Sequence, residues 1–217
     1  MKNSSLFDKK NIQLKAVRTL FEARSVCIIG ASSDPEKLSS SPLKAMELQN
    51  FCGKISLVNP KYDELFGKKC YPNVNALPDH IEAAMIVLPA EKGLIAAEEC
   101  VQRGILSIVM LAQGFGESGP EGLARDKRLQ KLCLDYGAAI VGPNTNGLFN
   151  IETGLCLSIA PILQYKDCVF LGNVGVISQS GAMISSLLYE MHKSRVGVRK
   201  AVACGNELVL SMPNYLV

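Results

Sequence analysis

The stretch "AAMIVLPAEKGLIAAEECVQRGILSIVML", Ala83–Leu111, decides the fold. Its ends, "AAMIVLP" (Ala83–Pro89) and "ILSIVML" (Ile105–Leu111), are apolar runs of strand length with no polar alternation. Between them, "KGLIAAEECVQRG" places its apolar residues at helical spacing and closes on Gly104, a helix stop. A strand apolar on both faces, a helix and another such strand describe a parallel sheet covered on both sides.

The same alternation extends in both directions. "SVCIIG" (Ser25–Gly30) and "KISLVNP" read as earlier strands, with a helix between them opening at Ser40 or Ser41 and holding Pro42 in its first turn. "PEGLARDKRLQKLCLDYG" reads as the next helix and "AAIVGP" as the next strand. Right-handed crossovers make this a doubly wound α/β domain over residues 14–150. The following "NIETGLCLSIAPILQYKD" reads as irregular, and residues 151–167 are expected to be a linker. The pattern restarts with "GVISQSGAMISSLLYEM" and "VRKAVACGN", so residues 168–217 read as the start of a second α/β domain, truncated. That segment, about fifty residues, is too short for a complete open sheet.

Composition narrows the function. With 48% hydrophobic and 20% charged residues, the chain can bury a sizeable core. A net charge of +3 argues against nucleic acid or an anionic membrane as partner. Aromatics at 6%, with no Trp, leave no stacking platform for single strands. The eight cysteines form no CxxC pair and neither His80 nor His192 lies near a Cys pair, so no metal site is expected. Most of these thiols fall in apolar runs, as small hydrophobes. "MKNSSLFDKKNIQLK" lacks an apolar signal core, and no apolar run reaches the ~18 residues of a membrane span. A cytoplasmic protein with free thiols is expected.

In a parallel sheet the ligand crevice lies beyond the carboxyl ends of the strands, which singles out the turns there. The first is "GASSDPEKLSSSP": Gly30, Ala31, Ser32 and Ser33 are small, so the backbone can approach a phosphate ahead of a helix. An ordinary polar connection with Ser caps is the alternative. The second strand ends in Asn59-Pro60-Lys61, where a NAD site would commonly carry an acid; a cation there suits an extra phosphate, or is a solvated turn residue. "LAQGFGESG" is a flexible loop whose Glu117 either caps the next helix or faces the site. In "GPNTNG" (Gly142–Gly147), Asn144, Thr145 and Asn146 present amides and a hydroxyl to a carbonyl or amide ligand, or form an Asx-rich turn. "SQSG" (Ser178–Gly181) clusters small donors at a helix start, an anion site. A nucleophile elbow fails there, because neither serine has Gly two residues before it. His80, in a surface turn, and His192, late on the last helix, read as solvated rather than catalytic.

"LFEARSVCIIGASSDPEK", "LVNPKYDELFGKKCYPNVNALPD", "GFGESG", "GPNTNGLFN" and "GVISQSGAMISSLLYEM…GNE" stand in this order. As an ordered set they resemble the NDP-forming acyl-CoA synthetases, the acetate–CoA ligase and succinyl-CoA synthetase α-subunit relatives, from about Leu20 to Leu216. The resemblance implies a Rossmann-like CoA-binding domain followed by an incomplete flavodoxin-like domain. It implies coenzyme A along Gly30, Ala31, Ser32 and Lys61, with Ser33, Lys37 and Pro89 on the same crevice, and its reactive end near Asn144, Thr145, Asn146 and Gly147. Ser178, Gln179, Ser180 and Gly181 are implied to cradle the phosphate of a phosphohistidine. The implied reaction converts acid, CoA and NTP to acyl-CoA, NDP and phosphate. The chain departs from the family at Ala23, at Ser39 and Ser40, and in "CLSIAP". The family's phosphorylated His is expected beyond Val217. NTP and Mg are then expected only through a partner, either a second ligase subunit or a C-terminal ATP-grasp domain. Other readings are a non-catalytic CoA- or nucleotide-binding regulatory protein and the ligase-like module of a protein lysine acetyltransferase.

Overall fold

A computed structural model describes residues 6–35 and 37–216; the first residues read for a signal core, and the terminal Val217, lie outside the described residues. The strands expected from the apolar runs form β1 (Ser25–Ile29), β2 (Lys54–Val58), β5 (Ala83–Ile86), β6 (Ser107–Met110) and β7 (Ala139–Val141). A short hairpin, β3 (Glu64–Leu65) with β4 (Lys68–Tyr71), adds an edge that the sequence reading did not anticipate. The sheet runs β3-β4-β2-β1-β5-β6-β7, and every pairing except β3 with β4 is parallel.

Four helices accompany this sheet: α1 (Leu6–Glu22), α2 (Ser41–Leu48), α3 (Ala90–Gln102) and α4 (Pro120–Tyr136). Alternation along the strands sorts side chains into two cores. Val26, Ile28, Met85 and Val109 share one with α1 and α2. Cys27, Ile29, Ile86 and Ile108 share the other with α3 and α4. Both faces are thus covered, as the unbroken apolar runs require. This is the mixed α/β, Rossmann-like architecture.

A second sheet, β10-β11-β8-β9, holds β8 (Gly147–Asn150), β9 (Leu155–Ser158), β10 (Val174–Ser178) and β11 (Val198–Ala203). α5 (Gly181–Lys193) follows β10 as the strand–turn–helix reading expects, and β10 and β11 are parallel. The stretch read as irregular is a correction: residues 147–158 form the antiparallel hairpin β8–β9, which pairs through β8 with β11. Its strands are only four residues long and wholly buried, so neither length nor alternation marks them. The chain therefore enters the second sheet at Gly147, ahead of residue 151, where the linker was expected. α1 packs against β6, β7 and β8, joining the two sheets through one core.

Six of the eight cysteines are buried, and all are free. Burial pushes the Cys100, Cys133 and Cys156 thiols up to about 12, so they stay protonated as apolar filling. Among the described residues no helix is long and apolar enough to cross a membrane.

Candidate functional site

The site begins where β1 ends. The Gly30 N–H donates to the Val58 carbonyl at 2.9 Å, which continues the sheet pairing by one residue. Gly30 has φ +93°, and a Cβ there would lie 2.4 Å from the Val87 carbonyl oxygen, so only glycine fits. Ala31 is buried, and its carbonyl accepts from Asn59 Nδ2 at 2.7 Å. Asn59 Oδ1 also accepts the Lys61 N–H at 3.0 Å, so one side chain staples the turns after β1 and β2. Ser33 Oγ donates to Tyr62 Oη at 3.0 Å across the same gap. A cavity of about 340 Å³ opens here, with Gly30, Leu88, Ile95 and two lysines, Lys61 and Lys92, on its walls. Neither lysine has an ion-pair partner among the described residues.

A second cavity of about 440 Å³ shares Leu88 with the first and continues past Pro89, Gln113, Asn144 and Asn146. The Asn144 N–H donates to the Ala112 carbonyl at 2.8 Å, and its Nδ2 donates to Asn206 Oδ1 at 3.2 Å. Thr145 also borders this cavity, but its hydroxyl, expected to face a ligand, is turned inward. It donates to the Ala203 carbonyl of β11 and accepts from the Gly147 N–H. That pairing locks the crossing from the first sheet to the second.

A third cavity, about 390 Å³, shares Asn144 and Asn146 with the second and is lined by Gln179, Ser180, Gly181 and Asn206. Its wall is polar. A Cβ on Gly181 would lie 2.4 Å from Asn146 Cγ, so glycine lets the start of α5 meet the "GPNTNG" turn. Ser180 caps α5, its Oγ accepting from the Met183 N–H at 3.2 Å. Ser178 Oγ donates to the Ser180 carbonyl at 3.1 Å and braces the turn. A helix leaves its first N–H groups without intrahelical partners, and at α5 those of Gly181 and Ala182 belong to residues on the cavity wall. The partial positive charge of the helix end adds to them.

Glu117 ties the two halves together. Its Oε1 accepts from the Gly114 and Phe115 N–H groups at 2.7 and 3.1 Å, and its Oε2 accepts from Asn206 Nδ2 at 2.6 Å. Burial works to raise its pKa, but these donors outweigh it and hold the carboxyl below the usual Glu value. Glu117 does not cap α4, whose N-cap is Gly119; its carboxylate holds Asn206, a wall residue of the third cavity.

Of the residues singled out in the sequence, Gly30, Lys61, Pro89, Asn144, Thr145, Asn146, Gln179, Ser180 and Gly181 border the three connected cavities. The others stand outside them. Ala31 is under the turn, Ser32 is half-buried beside it, and Ser33 and Lys37 are exposed on the first loop. Gly147 begins β8 and Ser178 ends β10. Lys92, Gln113 and Asn206 border the groove and were not singled out. The strand-end rule applied to β11 points to Asn206, and the helix start after Pro89 points to Lys92. His80 is exposed, as expected. His192 is not simply solvated: it is half-buried, its Nδ1 is buried without a partner among the described residues, and its ring packs 5.8 Å from that of Phe170.

Fold and groove together define a Rossmann-like binding domain, cornered by glycine at its first turn, whose groove is completed by a helix N-terminus from a second α/β unit. The chain belongs to the CoA-binding-domain family, which it matches as "CoA binding domain" over residues 24–150. Residues 171–217 match "Succinyl-CoA ligase like flavodoxin domain". The chain is 34% identical over 197 residues to acetate–CoA ligase [ADP-forming] I of Archaeoglobus fulgidus, covering 91% of this chain and 28% of that protein. It is 34% identical over 187 residues to the acetate–CoA ligase [ADP-forming] II subunit alpha of Pyrococcus furiosus, covering 86% of this chain and 39% of the subunit. Among solved structures, apo dinucleotide forming acetyl-coenzyme A synthetase 1 of Ca. Korarchaeum cryptofilum superposes with a TM-score of 0.84 at 32% identity, covering 91% of this chain and 42% of that one. The chain thus spans between 28% and 42% of the length of these relatives.

Proposed function

We propose that this chain is the CoA- or acyl-CoA-binding part of an NDP-forming acid–CoA ligase. The observation that carries the reading is the series of three cavities with shared lining residues that runs from Lys61 and Lys92, beyond the carboxyl ends of the parallel strands, to the "SQSG" helix start. The residues fit coenzyme A. Gly30 lets the turn after β1 pack against Val87 and Leu88 where a diphosphate would lie, and Lys61 and Lys92 supply charge for a further phosphate. Leu88 and Pro89 line the middle stretch, where the pantetheine arm would run. Asn144 and Asn146 offer amides at the reactive end, beside the α5 N-terminus.

In the full reaction, acid, CoA and NTP give acyl-CoA, NDP and phosphate through an acyl phosphate. A phosphohistidine from another segment delivers the phosphate, and Gln179, Ser180 and Gly181 hold it with uncharged donors. Ser178 supports that turn through the Ser180 carbonyl. Ala31, Ser32, Ser33, Lys37, Thr145 and Gly147 act by shaping the groove's edges. NTP and Mg enter through a second ligase subunit or an ATP-grasp domain, in the cytoplasm. We assign residues 14–150 to the CoA-binding unit, with β8 at its end crossing into the second sheet, and residues 168–217 to the ligase unit.

Calorimetric titration with CoA and NAD tests this reading. CoA is expected to bind more tightly; NAD binding of equal or greater strength overturns it. Radiolabelled ATP or GTP with acetate or succinate and CoA should leave the isolated chain unlabelled, and acid-labile label on His80 or His192 counts against a phosphohistidine supplied from elsewhere.

A further inference from the structure

A cavity of about 790 Å³, larger than any of the three along the groove, lies at the opposite end of the seven-stranded sheet. It sits beside the amino ends of β1 and β2, whose first residues, Ser25 and Lys54, are register partners. None of its lining residues borders the CoA groove.

Its charges do not cancel. The acidic groups on its wall are already engaged: Glu82 Oε2 accepts the N–H groups of Arg24 and Ser25 at 2.5 and 3.1 Å. Asp79 pairs with Arg103 at 3.5 Å and Glu152 with Arg199 at 2.6 Å. Arg24 and Lys54 also line the cavity, and among the described residues neither has an ion-pair partner. With Asp79 and Glu152 paired to arginines outside the wall, Arg24 and Lys54 outnumber the one remaining carboxylate, Glu82, and the surplus positive charge favours an anion there. The rest of the wall suits something flat and partly polar. The half-buried Phe51 ring gives a stacking surface, and the side-chain amides of Gln49 and Asn50 give both donors and acceptors. Two wall residues, Asn50 at φ 56° and His80 at φ 76°, hold left-handed backbone without being glycine. At Asn50 the left-handed turn closes α2, with the Phe51 N–H donating to the Met46 carbonyl at 2.9 Å, and so fixes where Phe51 leaves the helix.

We propose that this cavity binds a nucleoside phosphate, with the base on Phe51, its edge read by Gln49 and Asn50, and the phosphate held by Arg24 and Lys54. The site is separate from the CoA groove, so the proposal does not depend on the ligase reading.

Cys52 supplies a positional probe, because it is exposed and lines this cavity while most other thiols are buried. The experiment follows iodoacetamide alkylation of Cys52 by peptide mass spectrometry, with ADP, AMP, adenosine or inorganic phosphate present, alongside calorimetric titration with each. ADP should slow Cys52 alkylation several-fold. The R24A/K54A double variant should bind ADP roughly tenfold or more weakly and lose the protection. K54E, one reversal at an exposed position, should do the same should the double variant fold poorly. K61A, which alters only the CoA groove, should leave the protection unchanged. Unaltered alkylation at millimolar ADP overturns the proposal. So does protection that is lost in K61A but kept in R24A/K54A, or protection that inorganic phosphate alone reproduces in full.

Discussion

The two sheets bury their side chains to different extents. In the first, β5 and β6 are buried along their whole length, with helices on both faces. In the second, β10 pairs only with β11 among the described residues, and its first two residues, Val174 and Gly175, are exposed. The outer side of α5 presents Met183 at 64% exposure, with Leu187 and Tyr189 also exposed. Between α1 and the β10–β11 pair a gap of about 220 Å³ is left unfilled. The difference teaches where a substitution registers: in the first sheet packing sets side-chain size, whereas around β10 and α5 the surface is free to meet other groups.

The largest expected effect tests the first half of that contrast. Ile28→Ala, at a fully buried position of β1, should lower unfolding stability by roughly 2–5 kcal/mol in urea titrations. A loss under 1 kcal/mol would mean the first sheet is not the tightly packed frame described. Next comes Lys61→Ala, which should weaken CoA binding by about 1.5–3 kcal/mol with unchanged thermal stability. Unchanged affinity would return Lys61 to a solvated turn residue.

A smaller effect concerns Glu117, which joins a loop of the first sheet to Asn206 beyond the second. Its folded carboxyl lies below the ordinary value of 4.5, so its contribution is present above that value and is lost as pH falls through the folded pKa. Wild type should therefore exceed Glu117→Gln in stability near neutral pH, with the gap closing below about pH 4.5. A gap that is independent of pH would show that the carboxylate charge does not matter. The smallest effect is at Met183→Ala, which should stay within about 0.5 kcal/mol of wild type. A cost matching that of Ile28→Ala would erase the contrast between the sheets.

The first sheet was legible because its strands are unbroken apolar runs between amphipathic helices. Length, flanking glycine and proline, and helical spacing agreed for β1, β2, β5, β6 and β7, whereas the β3–β4 hairpin, with strands of two and four residues, carries no such signal. The β8–β9 hairpin was not legible, since four-residue buried strands carry no period and their pairing with β11 joins residues about fifty positions apart. The groove's glycines and Lys61 could be named because strand ends in a parallel sheet converge. The inward turn of the Thr145 hydroxyl could not, because it depends on where β11 lies. Asn59 shows a third case: its place at a strand end is visible, while its bridging of Ala31 and Lys61 needs the fold.

The groove is three cavities in series rather than one deep pocket. A ligand that spans it is held as a bivalent molecule is, with one end docked while the other searches a small volume. The lysine end then acts as a tether that sets the effective concentration of the far end at the α5 turn, in the millimolar range for short flexible links. Cutting such a ligand in the middle should cost more affinity than either fragment's contacts account for, since each half must then bind from bulk solution alone.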